Sequence, residues 1–343
     1  MASVARAGAV GVAMMAMLWA AGGHARPVAP MPVPGAPPAV VDLAPVVVSG
    51  VQPGPGMWQV TAADGHALWI LGTVSPLPAD LDWRADEVEA VIARADEVLG
   101  PPGWTLDADV GFFKGLTLLP SAMKAAHDPQ GRRLEEILPA AEYARWLTLK
   151  QRYLGRDRGV EKDRPLVAGT RLYAAALKSV GLGRSSPVSA MLAKAYKARG
   201  LTPVITRMVI RVDDPRQALK EARGSTLQDV QCFERTLDVV EQQLPLLVER
   251  ANAWSVGDVD ALQRLALQSQ YDACVGAIAD SDFGRRRGLQ AVDQQAADKW
   301  LQQARAALAR NPTTFAVVPV HLLVQPGGYL ARLEQAGYVV QAP

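Results

Sequence analysis

Two stretches of this chain bring chemistry-bearing side chains to the end of an apolar run: HALWILGTVSPLP, which carries Ser75, and FAVVPVHLL, which carries His321. Each apolar run is bounded by turn-forming residues, which predicts a buried strand feeding a turn. Side chains just past such a strand are held by a rigid scaffold and are well placed for function. A serine and a histidine that meet there can act as nucleophile and general base. They need a third group to orient the imidazole and donors to cradle an oxyanion. No Gly-x-Ser-x-Gly elbow surrounds Ser75, and Pro76 takes away a backbone donor beside it. Metal-assisted hydrolysis would instead need two or three convergent His, Asp or Glu ligands and a carboxylate to handle protons.

The other histidines do not supply such a set. His24 lies in the N-terminal segment, and His127 precedes Asp128-Pro129 in a polar stretch that reads as a surface turn. His66 lies before the first strand, about nine residues from Ser75, or roughly 25–30 Å if the chain is extended. The plain structural reading gives Ser75 a turn-capping role and makes His321 a hydrogen-bonded strand-end residue.

The elements around these residues alternate. Met57 to Val60 and Ala67 to Leu71 read as strands joined by a turn at Ala63-Asp64-Gly65, and Arg84 to Val98 as an amphipathic helix. Glu97 to Leu99 begins a strand that Pro101-Pro102-Gly103 ends. Helices are expected over Asp107 to Leu118, Pro139 to Tyr153, Pro165 to Val180 and on to Arg199, with Gly181 to Pro187 as a hinge. The loop Arg156 to Arg164, RDRGVEKDR, reads as a solvated turn. A strand follows from Val204 to Val212, then a long helix from Thr226 to Trp254 that Pro245 should break. Asp258 should cap a short helix, and Val292 to Ala309 is amphipathic. Phe315 to Val320 is the buried strand, and Gly327-Gly328 opens a last helix before a strand over Tyr338 to Gln341. Arg285-Arg286-Arg287 reads as a solvated face, although such a cluster also suits an anionic glycan or lipid head group.

At 343 residues with 49% hydrophobic content, the chain can bury a large core. A net charge of +2 shows no concentrated basic face and argues against a nucleic-acid partner. Arg6 followed by the apolar run VGVAMMAMLWAA and by Gly23-His24-Ala25 has the pattern of a signal peptide. Cleavage is expected after Ala25, leaving no membrane span; retention as an anchor is the alternative. Residues 26–56 form a Pro/Gly-rich, charge-poor linker, and the domain is expected over 57–343. Export would put Cys232 and Cys274, the two cysteines, in an oxidising compartment. A bridge between them is expected to stabilise the fold by roughly 3–4 kcal/mol, the alternative being two buried thiols.

The two opening stretches, with the tail PGGYLARLEQAGY, resemble the TraB/GumN family, whose TIKI-type members are described as metal-dependent proteases. The likeness spans about residues 57 to 341. It implies an α/β (α+β) fold with a mixed central sheet from two related halves, surrounded by many helices. The family ends its two signature strands in Gly-x-x-His. Here the first motif reads Gly72-Thr73-Val74-Ser75 and the second Val318-Pro319-Val320-His321. The family's glutamate at the end of the next strand falls near Gly100 or Pro101. Its Arg-Asn pair, counted back from Trp300, falls on Ala296 and Ala297. A divalent metal would be expected only with that site intact, so no cofactor is expected here. The leading expectation is an exported pseudoenzyme that binds an envelope peptide or polysaccharide. The competing one is a peptidase- or esterase-type hydrolase working through Ser75 and His321. A haem or metal carrier would have His321 as its single plausible ligand.

Overall fold

The computed structural model describes residues 54–107, 124–183, 187–223, 227–265, 274, 276, 279, 282–286 and 288–343. The signal segment, the linker up to residue 53 and most of the helix expected over Asp107 to Leu118 lie outside these residues. Asp107 itself closes strand β5 (Trp104–Asp107), which pairs in parallel with β7 (Met208–Arg211), the core of the strand expected over Val204 to Val212.

Strands β1 (Met57–Thr61) and β2 (Ala67–Thr73) form an antiparallel hairpin. Gly65 turns it with φ 87°, a left-handed conformation that glycine adopts without steric cost. The chain then runs through β3 (Leu77–Pro78), helix α1 (Asp86–Arg94) and β4 (Glu97–Leu99). Late in the chain, β8 (Thr313–Pro319) is followed by helices α9 (Val320–Val324) and α10 (Tyr329–Gln335) and by β9 (Val339–Gln341). These strands make one mixed sheet of order β4-β8-β2-β1-β9. β8 runs parallel to both β4 and β2, whereas β1 is antiparallel to β2 and β9.

This order explains the continuous apolar strands. β2 and β8 are central and covered on both faces, so seven-residue runs such as ALWILGT are almost wholly buried. The β2–α1–β4 crossover steps past β8 toward one edge of the sheet. The β8–α9–α10–β9 crossover steps past β2 and β1 toward the other. Crossovers of one hand that leave in opposite directions must lie on opposite faces. Trp69 and Phe315 are register partners and so share a face. Arg94 of α1 lies 5.3 Å from the Trp69 ring, and Tyr196 of helix α4 (Pro187–Arg199) packs at a tilt 6.2 Å from Phe315. On the other side, helix α8 (Val292–Arg310) packs with α10, Trp300 meeting Tyr329 edge-on at 5.1 Å.

Helices α2 (Ala140–Tyr153), α3 (Pro165–Ser179), α5 (Leu227–Asp238), α6 (Leu244–Ser255) and α7 (Val259–Arg264) build the intervening helical layer. The expected break at Pro245 is present: α5 passes through a π-type turn at Val239–Gln243, and Pro245 sits in the first turn of α6. Asp258 caps α7 by accepting from the Ala261 N–H at 2.9 Å. Cys232 and Cys274 are joined by a disulfide.

Of the hinge expected over Gly181 to Pro187, Leu182–Gly183 forms strand β6 and pairs with β3, and 184–186 lie outside the described residues. The charged loop is not wholly solvated. Glu161, Asp163 and Arg164 are buried, paired with Lys150 at 2.6 Å, Arg171 at 3.2 Å and Asp229 at 2.5 Å. Alternating charges in sequence looked like a solvent face, but here each buried charge has an opposite partner on a helix, which offsets part of the cost of burial.

Candidate functional site

In open parallel sheets, ligands bind outside the carboxyl ends of neighbouring strands whose outgoing connections part to opposite sides. β2 and β8 are such a pair. Their register aligns Gly72 with Val318 and Thr73 with Pro319. Ser75 and His321 each lie two residues beyond that last pair, so the two signature motifs occupy equivalent positions on either side of the crevice. Ser75 is exposed and precedes a cis peptide bond to Pro76. His321 is half-buried in the first turn of α9.

The strand ends are held by side chains from the helical layer. Arg250 and Trp254 are four residues apart on α6 and share a face. Trp254 Nε1 donates to the Gly72 carbonyl at 2.7 Å, and Arg250 Nη2 donates to the Ser75 carbonyl at 2.6 Å. Trp83 packs at a tilt against Trp254 with ring centroids 5.5 Å apart. Gly72 has a packing reason to be glycine. A Cβ there would lie 2.4 Å from the Trp58 ring and 2.8 Å from a Val320 methyl.

Gly100 sits at the end of β4. Its carbonyl accepts from Trp300 Nε1 at 3.1 Å and from Thr206 Oγ1 at 2.9 Å, and its N–H donates to Val204 at 3.0 Å. Both Trp300 and Thr206 are fully buried. Helix α8 enters β8 through the two residues Asn311 and Pro312, so it runs back along the sheet. Ala296, one turn before Trp300, therefore lies toward the crevice end of the strands. It is buried, and Ala297 is packed against the core.

The remaining histidines lie elsewhere. His66 Nδ1 is 2.9 Å from the Leu308 carbonyl at the opposite end of β2. His127 is more than half exposed; its Nδ1 lies 3.1 Å from the Lys162 carbonyl and 3.3 Å from Asp163. Among the described residues no group of three or more His, Cys, Asp or Glu side chains is arranged to hold a metal ion. The donors at the crevice therefore do not fit the divalent metal that the family resemblance implies.

Sequence reasoning missed Arg250, Trp254 and Thr206. All three act on backbone carbonyls far away in the chain, and nothing local marks them. The spacing of Arg250 and Trp254 on one helical face was the one available signal.

Beside Gly100 lies a cavity of about 650 Å³ between α4, the 200–203 turn and the β4 and β8 strands, lined mostly by apolar side chains. No helix among the described residues is long and apolar enough to cross a membrane.

No curated protein and no solved structure matches the chain. Residues 56–342, the whole of the described domain apart from its two ends, match the TraB/PrgY/gumN family, and the chain belongs to that family.

Proposed function

We propose that this chain is an exported TraB/PrgY/gumN-family protein that binds an envelope peptide or polysaccharide at the β2/β8 crevice without metal-protease chemistry. One observation carries this reading. Among the positions that the family resemblance marks for the metal site, His321 is the one strong metal donor, while 100, 296 and 297 hold Gly100, Ala296 and Ala297. A metal centre needs convergent ligands, and one imidazole is not enough. The crevice keeps its shape because Trp254, Arg250, Trp300 and Thr206 hold the strand ends independently of any metal. The disulfide is compatible with an oxidising compartment, which supports export. Elemental analysis of the purified chain should find no stoichiometric zinc or manganese, with the same trace content in His321→Ala. One metal per chain, lost in that variant together with peptide cleavage, would overturn the reading.

The register favours a second reading, a hydrolase using Ser75 and His321, because it sets the two at matching positions across the crevice. A fluorophosphonate probe separates the two. Labelling of the wild type that disappears in both Ser75→Ala and His321→Ala would establish the hydrolase in place of the binding protein.

A further inference from the structure

The cavity beside Gly100 shares Gly100 and Pro101 with the crevice margin but none of the side chains that could do chemistry there. Its walls are apolar: Leu99 and Val317 from the strands, Leu192 from α4, and Leu201 and Pro203 from the following turn. Among its lining residues Lys197 is the single charged side chain, and no carboxylate opposes it. Lys197 is exposed at the rim, whereas Leu192 and Leu99 are buried. Tyr196, also in the lining, packs at a tilt against Phe315, and burial alone pushes its phenol well above the usual range. An apolar body with a cationic edge and a neutral hydroxyl donor selects a ligand that is apolar along its length and anionic at one end. The volume of about 650 Å³ falls within the span of roughly 300–1,000 Å³ typical of small-molecule sites.

We infer that this cavity binds a single-chain anionic amphiphile, such as a free fatty acid, with the alkyl chain along Leu192, Leu201 and Val317 and the carboxylate at Lys197. The inference does not rest on the proposed role of the crevice, since no residue of the cavity is Ser75, His321 or Arg250.

Calorimetric titration of the purified chain with octanoic, decanoic and dodecanoic acids, each below its micellar concentration, tests it. Each methylene buried should tighten binding about fourfold. Lys197→Ala should weaken dodecanoate roughly three- to fivefold and leave dodecanol unchanged, as befits a rim charge. Ala193→Trp fills the mouth from an exposed position of α4, so it should abolish binding without unfolding the chain. Circular dichroism and the thermal midpoint check that last condition. Three results would overturn the inference: no saturable binding by any acid, an affinity independent of chain length, or dodecanoate binding undiminished in a folded Ala193→Trp variant. Equal weakening of acid and alcohol by Lys197→Ala would remove the anionic head from the proposed ligand and refute the class named.

Discussion

Gly72→Ala is the sharpest test of how the crevice is built. The added methyl would stand 2.4 Å from Trp58 Cζ3 and 2.8 Å from Val320 Cγ2, against an ordinary contact of at least 3.4 Å. The shortfalls are about 1.0 and 0.6 Å. Trp58 is only 3% exposed and Val320 only 2%, so neither can swing into solvent. Overpacking of this kind costs typically 1–3 kcal/mol. Any retreat of β2 also strains the bond from Trp254 Nε1 to the Gly72 carbonyl, worth about another 0.5–1.5 kcal/mol. A total loss of about 2–4 kcal/mol is expected, read as a lower urea midpoint with unchanged slope. Val320→Ala removes one of the two clashing groups. In a double-mutant cycle it should couple favourably to Gly72→Ala by about 1 kcal/mol. The reasoning fails if Gly72→Ala unfolds at the wild-type midpoint, or if the two changes add without coupling. An unchanged midpoint would mean that packing does not require glycine at this position, and additivity would mean that Val320 is not the group that resists the methyl.

Three further outcomes follow from the charged network and the disulfide. Arg164→Met should cost about 3–5 kcal/mol, because it leaves the Asp229 carboxylate buried without its partner 2.5 Å away; adding Asp229→Asn should recover much of that in urea melts. Burial raises the Asp163 carboxyl above its ordinary value of 3.8, against the opposing pull of Arg171 and His127. The native state thus binds this proton more tightly than the unfolded chain does. The stability it contributes is present below pH 3.8 and is lost as pH rises through the folded value. Relative to wild type, Asp163→Asn should therefore gain stability as pH rises above 3.8, and a loss in paired melts would reverse the sign. Reduction of the Cys232–Cys274 bridge, which spans 42 residues, should lower stability by about 4 kcal/mol in the chain-entropy account, measured as a midpoint shift between oxidised and reduced protein.

Much of the fold was legible because its signals are local. The β1–β2 hairpin, the β8 strand, the Asp258 cap and the Pro245 break each depend on residues within a few positions of one another. The Arg84 to Val98 expectation was too long. The helix stops at Arg94 because Asp96 turns to accept from the Thr313 N–H at 3.0 Å, and Glu97 opens β4 beside β8. That partner is more than two hundred residues away and leaves no trace in the local pattern. The same holds for the charged loop, where the ion pairs reach to α2, α3 and α5. The candidate site was readable as a pair of motifs, yet their equivalence needed the β2–β8 register, which only the pairing supplies.

The polar groups around the crevice explain how the protein's own side chains hold the strand ends. A carbonyl at the end of a buried strand must find a donor, since leaving it bare costs about 1–3 kcal/mol. Here Gly72, Ser75, Gly100 and Pro101 all present such carbonyls, and each is met by a side chain: Trp254, Arg250, Trp300 with Thr206, and Thr206 again. These donors hold the strand ends. Val318 and Ala296, at positions where the family resemblance places a glycine and a polar side chain, are both buried and fill the core. What is left facing the crevice is the exposed Ser75 hydroxyl and the half-buried His321 imidazole, on two strands whose geometry no longer depends on either. Substituting those two side chains should therefore change what the crevice binds far more than it changes whether the chain folds, which is the opposite of what Gly72, Trp254 and Trp300 should show.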